Sequence, residues 1–283
     1  MSANLPPLRD VIARYDLGAK KALGQHFLLD LNITRKIARL AEISGTDLVL
    51  EIGPGPGGLT RALLEAGAEV IAIERDARCI SALEEVAAAY PGMLRLIEDD
   101  ALRVDDRTLS RGRCVKIVAN LPYNISTELL IKWLRANHGS APALWSAMAL
   151  MFQKEVADRI LAAPGSKTFG RLSVIAQAAS SPSRGFDLPA RAFTPPPKVD
   201  STVVLFRPAA EGLIDIKALE AVSQSAFGQR RKMLRSSLRP LFGDRLAEAL
   251  TGIGVMETAR AEELSVDDFK RLAAAYSKLK SPR

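Results

Sequence analysis

The segment N-L-P-Y, Asn120 to Tyr123, carries the residue types needed to work on an aromatic amine. The Asn120 side-chain oxygen accepts hydrogen bonds, and the Leu121 carbonyl is a second acceptor beside it. An exocyclic aromatic amine is a poor nucleophile, because its lone pair is delocalised into the ring. Two acceptors aimed at its hydrogens favour a pyramidal nitrogen that can attack. Pro122 fixes φ and removes a donor that would compete at this edge. Tyr123 offers a face on which a base can stack. Asn120 alone reads more readily as the cap of a strand-to-helix turn. Asn, Pro and Tyr together, at the end of a strand, argue for chemistry.

A second constellation lies upstream in E-I-G-P-G-P-G-G-L-T, residues 51–60. Gly53, Gly55 and Gly57 allow a tight turn and a close approach of backbone to a ligand. Pro54 and Pro56 have no N–H, so they cannot help to cradle a phosphate. A P-loop lacks its G-K-[ST] ending here, and the pyrophosphate fingerprint is met only with prolines inside it. The loop suits a nucleoside-type ligand without phosphates, and it disfavours a nucleotide-dependent oxidoreductase. About 20 residues further on, Glu74 is placed to accept hydrogen bonds from both ribose hydroxyls. Its alternative is a helix N-terminal charge just before Asp76. One of Asp99 and Asp100 meets the amino edge of an adenine; the other is solvated or a cap.

These residues need a scaffold that lines them up. Short apolar runs at 47–52, 69–74, 94–98, 116–119 and 147–152 suit strands buried on both faces of a parallel sheet. Helical stretches at 57–66, 76–89 and 127–136 separate them, and this alternation predicts a doubly wound α/β sheet. Each candidate residue then falls at the carboxyl end of a successive strand, where open α/β folds bind ligands. Two further helices, 154–162 and 170–179, precede the runs SRGFDL and DSTVVLFRP, which predict an antiparallel hairpin closing the sheet. Beyond Pro208 only helices are expected, at 216–227, 230–238, 244–250 and 266–279. The predicted organisation is therefore a Rossmann-like ligand-binding domain over residues 1–206 and a small all-α domain over 207–283.

Charge and composition narrow the partners. The net charge is +7, and residues 207–283 hold +4 of it, from 14 Lys and Arg against 10 Asp and Glu. That excess suits a polyanion. F-G-Q-R-R-K-M-L-R-S-S-L-R places Arg230, Arg231, Lys232, Arg235 and Arg239 over about two and a half helical turns, in which Arg231, Lys232, Arg235 and Arg239 form one basic face and Met233, Leu234 and Leu238 turn to the core. A solvated face is the plainer alternative. Lys20, Lys21, Lys167, Arg171 and Lys198 are weaker candidates near the cleft. The two cysteines and two histidines make neither a disulfide framework nor a metal cluster. The first twenty residues contain no apolar signal-peptide core, and no stretch is apolar for long enough to cross a bilayer. The expectation is a cytoplasmic, metal-free monomer.

The blocks KKALGQHFLLD, EIGPGPGGLT, VIAIERD, EDDA, NLPYNIST, FQKEVADRI, GSKTFGRLSV, AFTPPPKVDSTVV and FGQRRKMLRSSL occur in this order over almost the whole chain. In them the chain resembles the ribosomal RNA adenine N6,N6-dimethyltransferases, in their bacterial small-subunit (16S) form. The erythromycin-resistance methyltransferases are more distant relatives. The resemblance implies S-adenosylmethionine as methyl donor, with S-adenosylhomocysteine as product. It implies dimethylation of two adjacent adenosines in a hairpin loop near the 3′ end of 16S rRNA, within an immature small subunit. Carried over by position, it places cofactor contacts at His26, Leu28, Gly53, Glu74, Asp100 and Asn120. The family usually has Asn where this chain has His26, so that residue is either a cofactor contact or a packing residue. The resemblance also brings Phe193 beside the target base, facing Tyr123; packing beneath the Pro195–Pro197 turn is the alternative. A non-catalytic assembly or transcription factor on the same fold is the competing function.

Overall fold

The computed structural model describes residues 5–18, 25–138, 142–209, 214–229 and 231–280. Lys20, Lys21 and Arg230 lie outside the described residues. The chain divides into two compact units. One is Met1–Trp133, Ala143–Ala157 and Ser183–Arg207; the other is Leu134–Pro142, Asp158–Pro182 and Pro208–Arg283.

The first unit is built on the sheet that the apolar runs predict. In chain order the strands are β1 (Phe27–Leu28), β2 (Leu48–Ile52), β3 (Glu69–Glu74), β4 (Leu94–Glu98), β5 (Val115–Asn120), β6 (Trp145–Gln153), β7 (Ser180–Leu188), β8 (Phe193–Thr194) and β9 (Ser201–Pro208). Seven of them form one sheet in the order β4-β3-β2-β5-β6-β9-β7. The pairs from β4 to β6 are all parallel. Strand β9 enters antiparallel to β6 and separates it from β7. β2 is buried along its whole length, as expected of a central strand covered on both faces. Strands β1 and β8 make a separate antiparallel pair that the apolar pattern does not reveal. At two residues each, they are too short to show a period.

The order reverses between β2 and β5, so a crevice opens there at the carboxyl ends of the strands. Helices leave that edge with recognisable starts. Asp76 caps the helix Ala77–Ala89, its side chain accepting from Arg78 N–H. The helix Gly58–Glu65 follows Gly57, whose φ of 89° is left-handed.

The second unit is helical. Arg171–Ala179, Ile216–Gly228 and Val266–Lys280 are its longer helices. They share a core with Phe169, Val174, Leu219, Leu234, Phe242, Leu250 and Phe269. Arg135 donates to both oxygens of Glu220, at 2.7 and 2.8 Å from Nη2. The predicted helix over 230–238 is not present as one element. Met233 forms a bridge with Arg260, and helix resumes only at Leu234–Ser237 and Arg239–Phe242. Arg235 N–H donates to the Glu257 carbonyl at 3.1 Å, a tie that a continuous helix would not permit. Met233 is 37 % exposed, whereas Leu234 and Leu238 are buried as expected. Among the described residues, no helix is long and apolar enough to cross a membrane.

Candidate active site

A cleft opens at the switch point between β2 and β5. Its walls are the glycine loop after β2, the end of β3, the turn after β4, the loop after β5 and the segment around β1. His26, Leu28, Gly53, Glu74, Asp100, Asn120, Leu121, Pro122 and Tyr123 all line it. Residues distant in sequence meet here because parallel strands bring their carboxyl ends to one edge.

The glycine loop passes close to two neighbours. Gly53 has φ 63°, and a Cβ there would sit 3.5 Å from the Pro122 ring. Gly55 has φ 55°, and its Cβ would come within 2.9 Å of the Phe27 ring. A side chain at Gly55 would therefore be strained and would displace the aromatic wall.

Glu74 is 6 % exposed and held by backbone donors. Its Oε2 accepts from Gly55 N–H at 3.1 Å, and its Oε1 from Arg75 and Asp76 N–H at 2.8 and 2.9 Å. Burial raises its pKa, and those three amides oppose the rise. They occupy about three of a carboxylate's four lone-pair directions. Asp100 is the better anchored of the two aspartates. Its Oδ1 accepts from Leu102 N–H at 3.0 Å, and Arg75 lies 3.7 Å from its Oδ2. Asp99 is exposed.

Asn120 is the last residue of β5, at the cleft's edge. Its Nδ2 donates to the His26 carbonyl at 2.9 Å. A carbonyl can only accept, so this bond determines which end of the amide faces His26 and turns Oδ1 the other way. Tyr123 is fixed at its far end, its hydroxyl lying 2.6 Å from Ser201 Oγ. Burial raises its pKa, and the bond to Ser201 opposes the rise. The chain then turns through Pro122–Ile125, with Ile125 N–H donating to the Pro122 carbonyl at 3.2 Å, into the helix Ser126–Asn137.

Two aromatic positions differ from expectation. Phe193 is 2 % exposed, does not line the cleft, and packs in the core with Leu28, Leu188 and Val203. It sits opposite Leu28 in the β1–β8 pair, which directs its ring inward. The ring stacked beside Tyr123 is His26, with centroids 5.5 Å apart and planes inclined by 28°. His26 is half-buried rather than a core residue, and its Nδ1 donates to the Pro195 carbonyl at 2.8 Å.

The cleft also contains residues that motif spacing does not single out. Gln25 reaches Asp76 Oδ2 at 3.3 Å, and Phe27 walls the glycine loop. Glu51 is 1 % exposed, and its Oε2 has no hydrogen-bond partner. Burial pushes its carboxyl up to about 8; Thr60 opposes the shift and the Glu74 charge adds to it. The acidic start of residues 51–60 marks Glu51, but only burial reveals its protonation. Among the described residues, no cluster of His, Cys, Asp and Glu converges as a metal ion would require.

In the second unit, Arg231, Lys232, Arg235 and Arg239 are exposed. Among the described residues none of the four has an ion-pair partner.

Residues 17–278 match the family model described as ribosomal RNA adenine dimethylase. The chain belongs to that family. The ribosomal RNA small subunit methyltransferase A of Xanthobacter autotrophicus is 56 % identical over 280 residues, covering 98 % of this chain and 96 % of that relative. Among solved structures, a dimethyladenosine transferase from Plasmodium falciparum superposes with a TM-score of 0.75 at 27 % identity, covering 89 % of this chain and 98 % of the other. The 23S rRNA methyltransferase ErmE superposes with a TM-score of 0.66 at 25 % identity, covering 89 % and 99 %.

Proposed function

We propose that the protein transfers methyl groups from S-adenosylmethionine to the N6 amines of two adjacent adenosines in a hairpin loop near the 3′ end of 16S rRNA, producing N6,N6-dimethyladenosine. It acts as a cytoplasmic monomer on immature small subunits. The observation that carries this reading is the Asn120 amide, oriented by the His26 carbonyl so that its oxygen is available at the lip of the cleft.

The cleft fits the donor. Two carboxylates, Glu74 and Asp100, suit ribose hydroxyls and an adenine amine, while Pro54 and Pro56 leave the loop poorly equipped for phosphates. His26, Leu28 and Gly53 complete the proposed contacts on that wall. When bound, the donor supplies an electrophilic methyl on a sulfonium. The protein's part is positioning and electrostatics. Asn120 Oδ1 and the Leu121 carbonyl accept from the target amine, Pro122 stiffens the loop, and Tyr123 stacks on the base. The amine becomes acidic on methylation and then loses its proton, so no strong base is required. Arg231, Lys232 and Arg235, together with Arg230, supply phosphate contacts.

The test is incubation with labelled S-adenosylmethionine and small subunits that lack the modification, followed by mass spectrometry of the nucleosides. N6,N6-dimethyladenosine at two adjacent positions is the expected product. Particle binding without any methylated adenosine would reject the enzymatic reading in favour of an assembly factor.

A further inference from the structure

After β4 the chain turns through Asp99, Asp100 and Ala101, which wall the cleft on the side of Glu74. The turn is held partly by its own bonds, with Arg103 and Val104 N–H donating to the Asp100 carbonyl at 2.8 and 3.2 Å. One side chain from outside grips it as well. Lys132, on the helix Ser126–Asn137, donates through Nζ to the Ala101 and Val104 carbonyls, each at 2.8 Å. It also pairs with Asp106 Oδ2 at 2.9 Å. An ammonium has three donors, and all three are used between Ala101 and Asp106.

The local chemistry is unusual for a mere stabilising contact. Asp106 is 4 % exposed, and Trp133 Nε1 donates to the same Oδ2 at 3.1 Å. Asp106 Oδ1 has no partner. Burial raises the Asp106 pKa, and the Lys132 charge only opposes it. A buried pair of this kind adds little net stability compared with apolar residues of similar volume. What it does provide is geometric: a fixed point for two carbonyls that directly follow the Asp100 wall. The helix that carries Lys132 starts directly after the Asn120–Ile125 loop, and Ser126 Oγ donates to the Tyr123 carbonyl at 3.1 Å. One helix therefore holds the exit of the Tyr123 loop and the Asp100 turn.

From this geometry we infer that Lys132 is a positioning residue for the nucleoside end of the methyl donor, holding the 99–104 turn in its binding shape from the helix that follows the Asn120–Tyr123 loop. The inference rests on the proposed cofactor reading, and it concerns affinity rather than the transfer step.

The experiment is calorimetric titration of S-adenosylhomocysteine into the wild type, Lys132→Met, and the double variant Lys132→Met with Asp106→Asn. The double variant removes the grip without leaving a buried carboxylate unpaired. Steady-state methylation accompanies it, with the donor varied at saturating particle and the particle varied at saturating donor. Both variants are expected to bind S-adenosylhomocysteine about tenfold more weakly, a loss of about 1.4 kcal/mol. The KM for the donor should rise in parallel, while kcat and the KM for the particle stay within about twofold. Wild-type affinity in the folded double variant would overturn the role of Lys132. So would a fall in kcat with donor affinity unchanged. If the wild type itself fails to bind S-adenosylhomocysteine, the cofactor reading fails, and this inference with it.

Discussion

Asn120 Nδ2 donates to the His26 carbonyl across 94 positions of sequence. This bond orients the amide that ends β5 by means of the segment leading into β1. His26 also stacks beside Tyr123 and holds the Pro195 carbonyl. The N-terminal segment is thus part of the structure that aims the N-L-P-Y loop.

Replacing Asn120 with Ala removes the oriented acceptor while Gly53, Glu74 and Asp100 still line the cleft. The expected result is a fall in kcat of about 100-fold or more. S-adenosylhomocysteine affinity and particle affinity should change by only a few-fold. Single-turnover methylation alongside calorimetry separates the two effects, and normal turnover would exclude the role assigned to the amide.

The Tyr123 hydroxyl and its ring are separable. Tyr123→Phe loses the bond to Ser201 Oγ, worth about 1 kcal/mol, and is expected to lower kcat/KM by less than about tenfold. Tyr123→Ala also loses a stacking face worth about 1–3 kcal/mol per base and should fall further. Comparable losses in both variants would mean that the hydroxyl, not the ring, matters.

Glu51 makes the stability of the free protein depend on pH. Its folded pKa of about 8 lies above the ordinary carboxyl value of 4.5. Between those values the folded state holds a proton that the unfolded state has released, so stability falls as pH rises through the window. The favourable contribution is complete below the lower value and lost by the upper one. Glu51→Gln should flatten the profile, removing a slope of up to about 1.4 kcal/mol per pH unit. Denaturant titrations at pH 6, 7 and 8 measure this. A wild-type-to-Gln difference independent of pH would assign Glu51 an ordinary pKa.

The basic segment of the helical unit should act through phosphates. Arg231→Ala, Lys232→Ala and Arg235→Ala combined are expected to weaken particle binding and to reduce the salt slope by about 0.7–0.9 for each phosphate no longer neutralised. S-adenosylhomocysteine affinity should not move. An unaltered salt slope would mean that these side chains are merely solvated.

Much of the site is readable from residue types. The strands ending at Glu74 and Asn120 are legible because short apolar runs bounded by turn residues suit strands covered on both faces. Spacing by successive strands then assigns Gly53, Glu74, Asp100 and Asn120 to one edge. The basic segment reads as a continuous helix, since its charge spacing fits one, and the structure breaks it. The Met233–Arg260 bridge competes with that local preference and prevails.

Residue types and their order therefore determined the fold class, the family and the carboxyl-edge site, because each depends on local pattern and chain succession. Tertiary structure alone decided the direction of Asn120 Oδ1, the inward turn of Phe193, the raised pKa of Glu51 and the three-way grip of Lys132. Each of those depends on which distant atom fills a side chain's surroundings: a carbonyl that can only accept, a partner strand that sets facing, a dry environment that disfavours charge. Sequence spacing does not encode that information until the chain has closed on itself.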